Sequence, residues 1–205
     1  MQPLSVHHGT AVPLPRTSVD TDAIIPSRYC LTVKRTGFAE HLFASWRQDS
    51  NFALDAPERQ DATVLVAGRD LGTGSSREHA VWALQDWGFR VVISSRFGDI
   101  FYNNCAKAGL VAARVDETVV QELMAATGKD PTLQVTVDLP RRRVEWTSVD
   151  GVRRGGDIDM DDFTRRRFVE GLDDIDLTLS HEPAIAAYES ANGHRLPRLR
   201  TGASV

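Results

Sequence analysis

Residues 72–84 read GTGSSREHAVWAL: two glycines, two serines, then Arg77, Glu78 and His79 directly ahead of an apolar run. A helix that begins just after a glycine turn leaves backbone N–H groups without intrahelical partners, and its positive end faces the loop, so an anion fits there. Gly72 and Gly74 would let the backbone approach a ligand closely. Arg77 could form a planar fork to a carboxylate or phosphate, and Ser75 or Ser76 could present a hydroxyl. The same letters also carry a structural reading. Ser75 with Glu78 fits a capping box, in which the serine accepts from the first turn and the glutamate reaches back, and Ser76 could cap in its place. His79 has no second histidine four residues away and reads as a hydrogen-bonded core residue rather than a metal ligand.

Named phosphate and hydrolase signatures fail on this stretch. A Walker loop needs a lysine that is absent, and the dinucleotide fingerprint would need glycine where Arg77 stands. A GxSxG elbow is also missing, although a serine working with a distant His and Asp stays open. What remains is a serine used beside positive charge.

The elements that must position it follow in clear order. The β-branched run 62–68 reads as a buried strand, followed by the glycine turn, a helix over 76–87 stopped by Gly88 and a strand over 89–95. A helix over 97–108 stopped by Gly109 and a strand over 110–115 come next. Apolar strands alternating with glycine-stopped helices indicate a parallel βαβαβ unit with right-handed crossovers. Upstream, 4–14 reads as extended and 15–26 as turn-rich. Phe38, Leu42 and Trp46 recur at four-residue spacing, which predicts a short helix. Downstream, 133–146 reads as an antiparallel hairpin around Pro140, 151–157 as a loop, and 163–172 and 182–190 as helices.

At 205 residues, with 41% hydrophobic and 25% charged residues and a net charge of −4, the chain has the composition of a soluble globular protein. The arginine runs at 141–143, 153–154 and 165–167 are interleaved with acidic residues and read as solvated faces, so neither nucleic acid nor membrane is expected as a partner. No stretch approaches a membrane span and the N-terminus lacks the order of a secretion signal, which predicts a cytoplasmic protein. Cys30 and Cys105 are the only cysteines. Two thiols make neither a disulfide framework nor the usual ligand set of an iron–sulfur cluster. Asp20 and Asp22 in one turn are too little to argue for magnesium, and no metal ligand is assigned.

Taken together, GSSREHAVWALQDWGFRVVI, DIFYNN, AGL, VDTDAIIP, KRTGFAEHLF and GLDDIDLTLSHEPAIAAYE resemble the small-subunit family of the 3-isopropylmalate dehydratases, within the aconitase superfamily. The resemblance covers most of the chain. It implies an α/β fold, a three-layer β/β/α swivelling domain with the parallel βαβαβ core, spanning 1–192 with helices of 160–190 packed on it and a flexible tail over 193–205. It implies no cofactor on this chain and a large partner subunit carrying a four-iron four-sulfur cluster, so that the active site lies between subunits. The implied reaction dehydrates 2-isopropylmalate and rehydrates the alkene to 3-isopropylmalate, in leucine biosynthesis. By residue matching, Ser75 stands where the superfamily has an alkoxide base, Asp22 where it has an active-site acid, and Arg77 where it holds a substrate carboxylate. Arg35 falls near a substrate-reading arginine, and Ser76 and Gly74 flank the substrate. Thr73, Val81 and Arg96 depart from the usual pattern, and Arg96, just past a strand end, could alter which substrate is read. Two alternatives stay open: a related hydro-lyase for another malate or citrate homologue, such as dimethylmalate or homoaconitate, and a non-catalytic anion-binding module.

Overall fold

The first strand joins the two halves of one sheet. In the computed structural model, which describes residues 1–31, 35–193 and 195, β1 (Val6–Leu14) pairs along Ala11–Leu14 in parallel with β3 (Val64–Ala67). Along Val6–Thr10 it pairs antiparallel with β7 (Gln134–Asp138). The result is a seven-stranded mixed sheet, β6-β5-β3-β1-β7-β8-β9, with β5 at Val91–Ser94, β6 at Val111–Arg114, β8 at Arg143–Thr147 and β9 at Arg153–Asp157. A separate two-stranded parallel sheet joins β2 (Val19–Asp20) to β4 (Leu71–Thr73).

The parallel half is the expected βαβαβ unit: β3, α2 (His79–Trp87), β5, α3 (Asp99–Ala108), β6. Its strands are apolar on both sides because both faces are covered. Leu65, Ala67 and Val92 face a cluster with Leu84 of α2 and Phe101 of α3. Val64, Val66, Val91 and Ile93 face a second cluster with Val120 and Leu123 of α4 (Glu117–Lys129) and Phe168 of α5 (Asp162–Glu170). The larger of these side chains, Val, Leu, Ile and Phe, each contribute about 1.5–3 kcal/mol of hydrophobic stabilisation. Both crossover helices end at left-handed glycines, Gly88 (φ +118°) and Gly109 (φ +85°), which lets the chain reverse into the next strand.

Several expectations are corrected. The segment 38–46 is not a helix: a single 3₁₀ turn, Ala39–His41, gives way to further turns, and Phe43 takes a left-handed conformation (φ +50°) that no α-helix accepts. Its four-residue spacing nevertheless marked core positions, since Phe38 and Leu42 are buried. The stretch read as a loop over 151–157 contains β9, an edge strand whose polar residues pair with β8. Helix α4, capped by the Asp116 side chain, was not anticipated. The hairpin around Pro140 is β7–β8. Contacts divide the chain into two units, Met1–Gly171 and Leu172–Val205. The second holds α6 (Asp174–Leu179), begun by a capping box between Asp173 and Asp176, and α7 (Glu182–Asn192). Apart from Gly193 and Arg195, the expected tail lies outside the described residues, as does Lys34 of the KRTG segment.

Candidate active site

The two-stranded sheet exists to bring two turns together. Asp20 of β2 lies opposite Thr73 of β4, so the chain leaving β2 as TDAI and the chain leaving β4 as GSSR run side by side. The first turn winds into α1 (Thr21–Ile24), fixed by the Asp20 carboxylate, which accepts from the Ala23 N–H at 2.7 Å. The second depends on glycine. Gly72 has φ +77°, and a Cβ there would collide with the Phe101 ring of α3; Gly74 has φ +86° and would place a Cβ 3.3 Å from that of Asp20.

The helix that follows starts later than its sequence suggests. Its first residue is His79, and Glu78 occupies the N-cap with helical backbone angles and no side-chain cap. The capping-box reading is therefore corrected: neither Ser75 nor Ser76 caps α2. Both serines are exposed, in the bend that precedes the helix. The backbone N–H groups of Ser75, Ser76, Arg77 and Glu78 meet no acceptor among the described residues. The Ser75 hydroxyl lies 2.9 Å from the hydroxyl of Thr21, which is itself buried and donates toward the Ser75 carbonyl at 3.2 Å. The Ser76 carbonyl accepts from the Asn104 side chain of α3 at 3.3 Å, which ties the turn to the parallel core.

Arg77 reaches back across the gap. Its Nη1 donates to Asp22 Oδ1 at 2.7 Å and to the Ile25 carbonyl at 3.4 Å, while the Ser27 N–H donates to the same Asp22 oxygen at 3.0 Å. The Arg77 guanidinium, followed by the Ser27 amide, holds the Asp22 carboxyl below the usual carboxylate range, so it is ionised at neutral pH. The Nε and Nη2 edge of Arg77 has no partner among the described residues. That edge has the geometry of a carboxylate fork.

Asp22, Gly74, Ser75 and Arg77 are thus gathered within two adjoining turns, with Ser76 beside them. Arg35 is not brought into hydrogen-bond contact with any of them; its guanidinium sits over the Trp82 ring of α2, 5.7 Å from the centroid. Arg96 is clamped by Asp70 of the neighbouring β3–β4 loop, Nε to Oδ1 and Nη2 to Oδ2 (2.7 Å), so its charge is already answered. Thr21 is the residue that sequence reasoning passed over. In VDTD it reads as one more turn-forming residue, and only the β2–β4 pairing places its hydroxyl on Ser75. Metal ligation finds no support here. Cys105 is fully buried with its thiol pushed up by that burial, Cys30 is half-buried, and no group of three or more His, Cys, Asp or Glu among the described residues could hold an ion. The donor set of this chain does not fit an iron–sulfur cluster.

The model of the aconitase C-terminal domain matches residues 1–118, a span that includes both turns. A 3-isopropylmalate dehydratase small subunit from Acidothermus cellulolyticus is 58% identical over 190 residues, covering 93% of this chain and 94% of that one. The chain belongs to the 3-isopropylmalate dehydratase small-subunit family. Another member, from Salinispora tropica, is 50% identical over 199 residues and is covered along its whole length. The crystal structure of a family member, the 3-isopropylmalate dehydratase chain of Methanocaldococcus jannaschii, superposes with a TM-score of 0.64 at 26% identity, over 89% of this chain and 99% of that one. Membership in the family accounts for the mixed α/β fold with its parallel core.

Proposed function

We propose that this chain is the small subunit of a cytoplasmic, hetero-oligomeric 3-isopropylmalate dehydratase, a hydro-lyase that isomerises 2-isopropylmalate to 3-isopropylmalate in leucine biosynthesis. The observation that carries the reading is the exposed Ser75 hydroxyl, free of any capping duty, next to a guanidinium with one edge open. The reaction removes a proton from a carbon beside a carboxylate. The Nε/Nη2 edge of Arg77 suits the substrate carboxylate, and Asp22 holds the other side of the guanidinium so that this edge faces outward. Ser75, as alkoxide, takes the proton, becomes a hydroxyl, and returns it to the neighbouring carbon on rehydration. A lone serine is far too weak an acid to supply that alkoxide. The unpaired N–H groups ahead of α2 and the Arg77 charge favour the anion, and exclusion of water on docking strengthens both interactions, which must outweigh the desolvation of the alkoxide. Departure of the substrate hydroxyl calls for a Lewis acid, which this chain cannot hold and which we assign to a four-iron four-sulfur cluster of the large partner subunit.

The test is the reconstituted pair. Ser75→Ala should assemble normally and keep KM, while kcat falls by about 10³-fold or more. The full chain without its partner should not isomerise 2-isopropylmalate. Substantial turnover by Ser75→Ala would reduce the site to an anion-binding module.

A further inference from the structure

The Thr21 hydroxyl has one proton and two acceptors on the same residue: Ser75 Oγ at 2.9 Å and the Ser75 carbonyl at 3.2 Å. When Ser75 is protonated, its O–H donates to Thr21 Oγ1 and the Thr21 proton points at the carbonyl. When Ser75 is an anion, a rotation about the Thr21 Cβ–Oγ1 bond turns that proton onto the alkoxide. Neither state leaves the buried Thr21 hydroxyl without a partner, so the rotation trades one hydrogen bond for another.

We propose that Thr21 is a positioning residue for the base assigned above: its hydroxyl alternates between the Ser75 carbonyl and the Ser75 oxygen, holding the protonated serine in place and stabilising the alkoxide. The inference rests on the reading of Ser75 as the base. Three features hold Thr21 still enough to act this way. It is the first residue of α1, its carbonyl accepts from the Ile25 N–H at 3.0 Å, and the Asp20 carboxylate locks the same turn. Only 1% of Thr21 is exposed, so water does not compete for its proton. Gly74 completes the arrangement, since a Cβ there would stand 3.9 Å from Thr21 Oγ1 and against Asp20. No bond is made or broken at Thr21, and the proton removed from substrate resides on Ser75 until it is returned to the neighbouring carbon.

Thr21→Val keeps the shape and removes the hydroxyl, whereas Thr21→Ser keeps the hydroxyl. In the reconstituted enzyme, Thr21→Val should lower kcat about 10- to 100-fold with KM little changed, and Thr21→Ser should restore most of it. A second readout needs no turnover. With Ser75→Cys in the full chain, the pH dependence of iodoacetamide alkylation at position 75, followed by mass spectrometry, gives the thiol pKa. Adding Thr21→Val should raise that pKa by about one unit, and adding Thr21→Ser should leave it unchanged. The charged groups around position 75, Asp20, Asp22, Arg77 and Glu78, are common to all three proteins. If Ser75→Ala is inactive but Thr21→Val matches wild type in kcat and leaves the thiol pKa unmoved, the inference is overturned and the base assignment stands. If Ser75→Ala retains turnover, the base assignment itself falls. Rescue of Thr21→Val by shape alone, with Thr21→Ser the weaker enzyme, also overturns the inference.

Discussion

Asp22 and the proposed substrate carboxylate would share one guanidinium, that of Arg77. Asp22 takes Nη1 and leaves the Nε/Nη2 edge outward, which only a planar fork permits. Arg77→Lys should therefore raise KM for 2-isopropylmalate about 10- to 100-fold, because an ammonium on a flexible stem cannot serve both partners, and steady-state kinetics on the reconstituted pair will show it. Asp22→Asn tests the other half. A carboxyl already ionised at neutral pH is poorly suited to donate a proton, so we assign Asp22 to orienting Arg77. The pH dependence follows in sign: with its value depressed in the folded protein, Asp22 keeps its charge as pH falls through the ordinary carboxylate range, and the pairing is lost only as pH falls through the depressed value. Wild-type kcat/KM should hold across that acid range as far as Asp22 is concerned, and Asp22→Asn should start lower at every pH without gaining a new acid limb. Both side chains are partly exposed, so thermal stability should change by no more than about 1 kcal/mol.

The turns that carry these residues stand on glycines and on a short parallel pairing. Gly72→Ala puts a Cβ into the Phe101 ring at a left-handed backbone position, combining conformational strain with overpacking, and should cost about 2–4 kcal/mol in urea denaturation. Ser75→Ala, by contrast, removes no helix cap and should leave the unfolding midpoint within about 0.5 kcal/mol of wild type, where loss of a true N-cap would cost about 1. This contrast also marks what the sequence could and could not convey. The parallel βαβαβ core was legible because both-face burial leaves continuous apolar strands and glycine stops. The Ser75–Glu78 spacing misled because the capping-box pattern is local, whereas the turn ahead of α2 is held by distant partners, Arg77 reaching across to Asp22 and Ile25 and Ser75 meeting Thr21. The four-residue spacing at Phe38, Leu42 and Trp46 marked burial, but the aromatic contacts of Phe43 with Trp46 and Phe52 accompany a left-handed turn in place of a helix. In β9, the sequence RRGGD shows no alternation. Its glycines allow close approach to β8, with a Cβ at Gly155 colliding with the Val144 carbonyl, and no propensity scale reports that.

At the scale of the whole larger unit, the question is what joins the parallel half of the sheet to the antiparallel half and to the layer beneath. The junction falls in β1, between Thr10, the last residue paired with β7, and Ala11, the first paired with β3. Arg59 is buried there, on a 3₁₀ turn (Pro57–Arg59) ahead of β3. Its Nη1 donates to the Ala11 carbonyl at 2.9 Å and its Nη2 to the Thr127 carbonyl at 2.7 Å, in the last turn of α4, where helix carbonyls lack partners of their own. The guanidinium thus caps α4 and fastens it beneath the junction. Burial lowers the Arg59 pKa, a lowering that the nearby carboxylates of Glu58 and Asp130 oppose, and the group remains charged at any ordinary pH. Arg59→Met keeps the apolar stem and leaves two buried carbonyls unpaired, so it should cost about 2–4 kcal/mol in urea denaturation of the full chain. Amide exchange should quicken first in the last turn of α4 and at the centre of β1, while alkylation of a cysteine at position 75 keeps its pH dependence. An unfolding midpoint unmoved by the substitution would mean that hydrophobic burial by the two core clusters joins these layers without help from the arginine.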